Sequence, residues 1–200
     1  MSKEELLELF SNVLQPLRDS VNKLQETVQD LQNELAIKDE KINNLESLVY
    51  EGLDEREQYS RRNNIRIFGI RESDNEDTDQ VVLDLAAKLG APLVKQQIVR
   101  SHRVGRKGPK PRPIIVKLVS YAQRKALFMA KKSLKGTGIF VCEDLTKSRR
   151  ELLKKIVEAY SKEKVWTIDG TILVNVGESR PFRARFESDF VKLLDKYPPV

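Results

Sequence analysis

The chain holds one cysteine, Cys142, and one histidine, His102, among its 200 residues. One of each can build neither a disulfide framework nor a Cys/His zinc site, so no metal or cofactor is expected. No apolar run approaches the roughly 20 residues that span a bilayer, and the N-terminus lacks the apolar core of a signal peptide. The reading is a soluble, intracellular protein without a membrane partner. Clustered carboxylates and a Gly-rich phosphate loop of the P-loop type are also missing, which leaves no catalytic constellation and points away from an enzyme. At this length there is room for one or two small cores.

A heptad repeat is present from Leu7 to Tyr59. Its a positions are Leu7, Leu14, Val21, Val28, Leu35, Ile42, Val49 and Arg56. Its d positions are Phe10, Leu17, Leu24, Leu31, Lys38, Leu45, Gly52 and Tyr59. A 3-4 seam of this kind cannot be buried by one helix, and it predicts an oligomerising coiled coil. Pro16 has no N–H and fits a first helical turn. The spacing therefore predicts a short helix over 3–14, opened by the Ser2 to Glu5 capping pattern, and a separate long helix from 16, about 65 Å in length.

Charge is divided along the chain. Residues 1–60 carry 6 Lys and Arg against 14 Asp and Glu, a balance of −8. Residues 61–145 carry 18 against 8, or +10, and residues 146–200 carry 12 against 8, or +4. Such segregation predicts a basic part that gathers phosphates or other anions.

The central residues alternate in type. Strands are expected at 65–70, 98–104, 114–119 and 139–142. A helix carrying Val81, Val82, Leu85, Ala86 and Leu89 is expected to end at Gly90. A second helix, capped by Ser120 with Gln123, carries Ala126, Leu127 and Ala130. The order is βαββαβ, that of the RNA-recognition motif and other ferredoxin-like folds. Beyond it, Leu152 to Tyr160 forms an amphipathic helix, and Asp169-Gly170 joins strands 165–168 and 171–176 as a tight hairpin. An edge strand at 183–186 and a short helix at 190–194 complete a small α-β-β domain. The expected fold class is α+β, in three parts: a parallel coiled coil over 1–60, the βαββαβ domain over 61–145, and the C-terminal domain over 146–200.

The densest basic stretch is 100–112, with Arg100, Arg103, Arg106, Lys107, Lys110 and Arg112 and no acid. A Gly/Pro-rich arm between two strands lets guanidinium forks follow a phosphate track. Lys117 alternates with Val116 and Leu118 and is expected on the sheet face opposite the helices, with Arg66 beside it. Arg61 and Arg62 stand where the coiled coil meets the basic part. Cys142 is expected in the core.

The run Arg61-Arg62-Asn63-Asn64-Ile65-Arg66-Ile67-Phe68-Gly69-Ile70, with Arg112-Pro113-Ile114-Ile115-Val116-Lys117-Leu118, resembles the first-open-reading-frame proteins of LINE-type retrotransposons. Residues 139–146 and Arg149-Arg150-Glu151-Leu152-Leu153 are similar to insect mobile-element proteins and the baculovirus few-polyhedra protein. The resemblance implies a coiled coil joined to a noncanonical RNA-recognition motif, and it assigns Arg149 and Arg150 to RNA binding. Where the usual module stacks rings on bases, this chain has Arg66, Ile114 and Val116, which favours capture of the backbone by charge. Lys41-Ile42-Asn43-Asn44-Leu45-Glu46 resembles the family's trimerisation motif, with Lys in place of its usual Arg.

These readings give a nonenzymatic, self-associating protein that binds single-stranded RNA, and also single-stranded DNA, with little sequence preference, as a ribonucleoprotein component and nucleic-acid chaperone. The resemblance places it in cytoplasmic ribonucleoprotein particles, with the nucleus as the other compartment. Leu17, Val21, Leu24, Val28, Leu31, Leu35, Ile42, Leu45 and Val49, with Lys41 and Glu46, would carry association. Val at a with Leu at d favours a dimer. Leu48 at g and Leu53 at e widen the stripe and favour a parallel homotrimer. The alternative function is a capsid-associated or scaffold protein whose basic domains bind an acidic protein.

Overall fold

The computed structural model describes residues 2–199, without the side chains of Glu5 and Leu6, so the Ser2–Glu5 capping pair lies outside the described part. The fold is α+β, a long N-terminal helix followed by small antiparallel sheets, and the chain divides into two compact units between Gly52 and Leu53.

The first element, α1, runs unbroken from Lys3 to Ser60 and contains Pro16. The expected break into a helix over 3–14 and another from 16 is therefore absent. Proline removes one donor and crowds the carbonyl of Asn12, yet its fixed φ of about −65° is itself helical, so residues on both sides continue the spiral. Every seam residue from Leu17 to Val49 is exposed, between 46% and 65% for the nine apolar side chains named above.

The division at Gly52 lies about two turns before the expected boundary at 60. The heptad loses its apolar character there, at Gly52 and Arg56, and the last turns of α1 serve a different end. Asp54 and Gln58 are 6% and 7% exposed, buried among polar partners of the second unit.

That second unit holds two sheets, each with its own core. Strands β1 (Asn64–Phe68), β2 (Ile98–Arg103), β3 (Ile114–Leu118) and β4 (Phe140–Glu143) form one antiparallel sheet in the order β2-β3-β1-β4. Helices α2 (Thr78–Lys88) and α3 (Tyr121–Ala130) join β1 to β2 and β3 to β4. Alternation sets the packing. Ile65, Ile67, Ile114, Val116 and Leu118 are buried with Val82, Leu85, Ala86 and Leu127 from the helices, each larger aliphatic contributing about 1.5–3 kcal/mol by leaving water. Ser120 caps α3 by accepting from the Gln123 amide while the Gln123 side chain accepts from the Ser120 amide. Gly69 ends β1 at φ +86°, and a Cβ there would lie 2.0 Å from the Gly138 carbonyl oxygen, so only glycine fits.

The second core is built by α4 (Lys147–Tyr160), the sheet β5 (Val165–Ile168), β6 (Thr171–Val174) and β7 (Phe182–Ala184), and α5 (Glu187–Lys196). It buries Leu152, Ile156, Ile172, Val174, Ala184 and Leu193. Asp169 (φ +50°) and Gly170 (φ +76°) supply the two positive angles of a tight hairpin turn. The turn also approaches α1 closely, since a Cβ on Gly170 would meet the Gln58 side chain at 2.6 Å. The edge strand lies one to two residues earlier than the expected 183–186, and α5 is longer than 190–194.

Candidate nucleic-acid interface

One face of the four-stranded sheet is covered by α2 and α3, and the other is open. Register places Arg100 opposite Lys117 and Lys117 opposite Asn64 in one row across it, and His102, Ile115, Arg66 and Cys142 in the next. Lys117 and Arg66 therefore lie on the open face, as alternation requires. Ile114 and Val116 do not, since both are fully buried in the core, and the open positions of β3 belong to Ile115 and Lys117. Cys142 is likewise exposed rather than in the core, for it alternates with the buried Val141 and Glu143.

The basic stretch 100–112 divides by partner. Arg103 is drawn under the loop. Its Nε donates to Glu76 at 2.6 Å, and its Nη atoms donate to the carbonyls of Ile70 and Arg71 at 3.0 Å, with its side chain only 5% exposed. The Arg103 guanidinium hydrogen-bonded to Glu76 holds that carboxyl below the usual range. Arg112 is paired with Glu72, whose carboxyl it lowers in the same way. Lys107 stands 3.5 Å from Asp74, both widely exposed, an interaction of small energetic weight. Arg100, Arg106 and Lys110 are exposed and have no ion pair among the described residues. The acidic loop 72–77 thus neutralises the root of the basic arm and leaves its tip and its β2 end charged.

Where α1 joins the sheet, Asp144 is 1% exposed and collects Arg61 Nη1 at 3.0 Å, Asn64 Nδ2 at 3.0 Å and Arg66 Nε at 2.8 Å. Arg61 also bonds Glu57 at 2.6 Å. Arg62 is unpaired by any acid among the described residues, and its guanidinium carbon lies 4.0 Å from the centre of the Tyr59 ring. Of the two expected arginines of α4, only Arg150 is at the surface, with one Nη1 donated to the Leu145 carbonyl at 3.3 Å.

Arg149 is not available to a ligand. It is 1% exposed, with Nε donating to Asp54 Oδ2 at 2.6 Å, Nη1 donating to the Gly170 carbonyl at 3.0 Å, and Nη2 lying 3.2 Å from Glu55. The Thr146 hydroxyl bonds the other Asp54 oxygen, and Gln58 accepts from the Thr146 amide at 2.9 Å while donating to the Asp144 carbonyl at 3.2 Å. Arg124 repeats the pattern, fixed between Glu143 and Asp169. Spacing offers no signal for either cluster, because the partners lie 95 and 19 residues apart.

Among the described residues, no group of His, Cys, Asp and Glu is placed to hold a metal ion, and no helix is long and apolar enough to cross a membrane. No protein-family model matches the chain, and no curated protein matches it either.

Proposed function

We propose that this chain is a self-associating protein that holds single-stranded RNA through charge, with little dependence on sequence. The observation that carries the reading is a set of cations without an ion pair among the described residues, the exposed Arg100, Arg106 and Lys110 and the half-buried Lys117, gathered on the open sheet face and the adjoining loop of a chain whose first 52 residues carry an exposed heptad seam. Arg62 and Arg150 add surface cations in the same unit. Sheet order β2-β3-β1-β4 with two helices on one face is the arrangement expected of an RNA-recognition motif, and the open face is where such modules meet a strand. The resemblance to LINE-type first-open-reading-frame proteins points the same way, as does the coiled-coil pattern, which would bring several such units onto one strand.

Charge capture has a measurable signature. Affinity for single-stranded RNA should fall linearly in a plot of log K against log salt, with a slope of about −0.7 for each phosphate neutralised. Arg106→Ala with Lys110→Ala is expected to weaken binding to unrelated sequences equally. The same variant should make the slope shallower by about 0.7 for each phosphate it no longer neutralises, measured by fluorescence anisotropy. Affinity independent of salt in the unsubstituted protein would sink the reading.

A further inference from the structure

The open sheet face ends in two phenylalanines that the expected ring positions miss. Phe68, the last residue of β1, is paired in register with Phe140, the first residue of β4, and both lie on the open side. Phe140 is 59% exposed, an unusual place for a benzyl group on a strand. Beside it opens a groove of about 730 Å³, lined by Lys131, Lys132 and Lys135 together with Gly136, Gly138 and Phe140. Among the described residues, no acidic side chain lines this groove. Its volume is in the range that holds a small organic ligand. The Lys131 ammonium is 3.6 Å from the centre of the Phe128 ring, and burial lowers its pKa, which marks an amine already partly stripped of water.

Ammonium groups beside an exposed ring, in a groove that no carboxylate lines among the described residues, suit an unpaired nucleotide: the base offers a π-face to the ring and the phosphate an anion to the lysines. An acidic peptide would satisfy the lysines but leave the ring without a stacking partner. We propose that this groove is a nucleotide subsite, in which one base of a single strand stacks on Phe140 while its flanking phosphate is held by Lys132 and Lys135. The subsite rests on the nucleic-acid reading above and adds to it an interaction with a base, which charge capture lacks. Stacking tolerates any base, so it raises affinity without creating sequence preference.

The test compares full-length protein binding to an oligouridylate and to an abasic oligomer of equal length, by fluorescence anisotropy at fixed salt. The unsubstituted protein is expected to favour the base-bearing strand by between about five- and a hundredfold. Phe140→Leu should erase that preference while leaving abasic binding and thermal unfolding unchanged. Lys132→Ala with Lys135→Ala should weaken both ligands. Retention of the full preference by Phe140→Leu overturns the subsite. Equal, salt-dependent binding of both oligomers by the unsubstituted protein removes the subsite and leaves charge capture standing. Binding to neither defeats the nucleic-acid reading and the subsite with it.

Discussion

Replacing Asp54 with alanine is expected to destabilise the second unit by about 3–5 kcal/mol, the cost of leaving a buried charge without its counter-ion. Arg149 and Asp54 have side chains only 2% and 5% exposed, so the guanidinium recovers little hydration after the carboxylate is gone. Glu55, 3.2 Å away and 41% exposed, is a poor substitute, because solvent already screens it. The Thr146 hydroxyl would lose its acceptor as well. Chemical denaturation reads the loss directly. Glu57→Ala, which removes the partner of Arg61 on its exposed side, is the control and should cost at most about 1 kcal/mol. A loss for Asp54→Ala no larger than this control would mean that the pair does not hold the end of α1 in the second unit. The same geometry separates the two adjacent arginines of α4. Arg149→Ala should behave as a folding variant, whereas Arg150→Ala should leave stability within about 0.5 kcal/mol.

Removal of residues 1–52 is expected to lower affinity for a long single strand by about 10²–10⁴-fold, while each isolated unit keeps its weak, salt-dependent binding. Linked copies meet the strand at high effective concentration, and separate copies do not. The cut must fall after Gly52. A cut after Ser60 also removes Asp54 and Gln58, and the resulting loss of binding would mix unfolding with loss of linkage. Isothermal titration of full-length protein and the 53–200 fragment against the same strand distinguishes the outcomes, and equal affinities would show that linkage contributes nothing.

Much of this architecture is legible in residue order because its signals are local. Alternation at 65–67 and the apolar run at 114–118 identify two central strands, the Ser120–Gln123 pair a helix start, and Asp169-Gly170 a hairpin. The continuous helix through Pro16 is not legible, since proline's own φ is compatible with helix and only the flanking residues decide whether the spiral goes on. Nor are the buried clusters of Arg149 and Arg124. An arginine aimed at solvent and one paired with a carboxylate 95 positions away look alike in sequence, and in the basic arm that ambiguity hides the difference between the anchored Arg103 and the exposed Arg106. One local hint does exist. A heptad that places Gly52 and Arg56 in the seam has stopped building a seam. Phe140 gives no such hint, because the expected ring positions lie on other strands and its exposure follows from the register of β4 against β1.

The mass of the intact protein in solution bears most directly on the proposed assembly of several basic units on one strand. Sedimentation equilibrium at micromolar concentration and moderate salt should return three copies of the 23.0 kDa chain, or 69 kDa. A mass of two chains would contradict the trimer and retain the linkage. A mass of one chain, unchanged as concentration rises, would contradict the assembly itself.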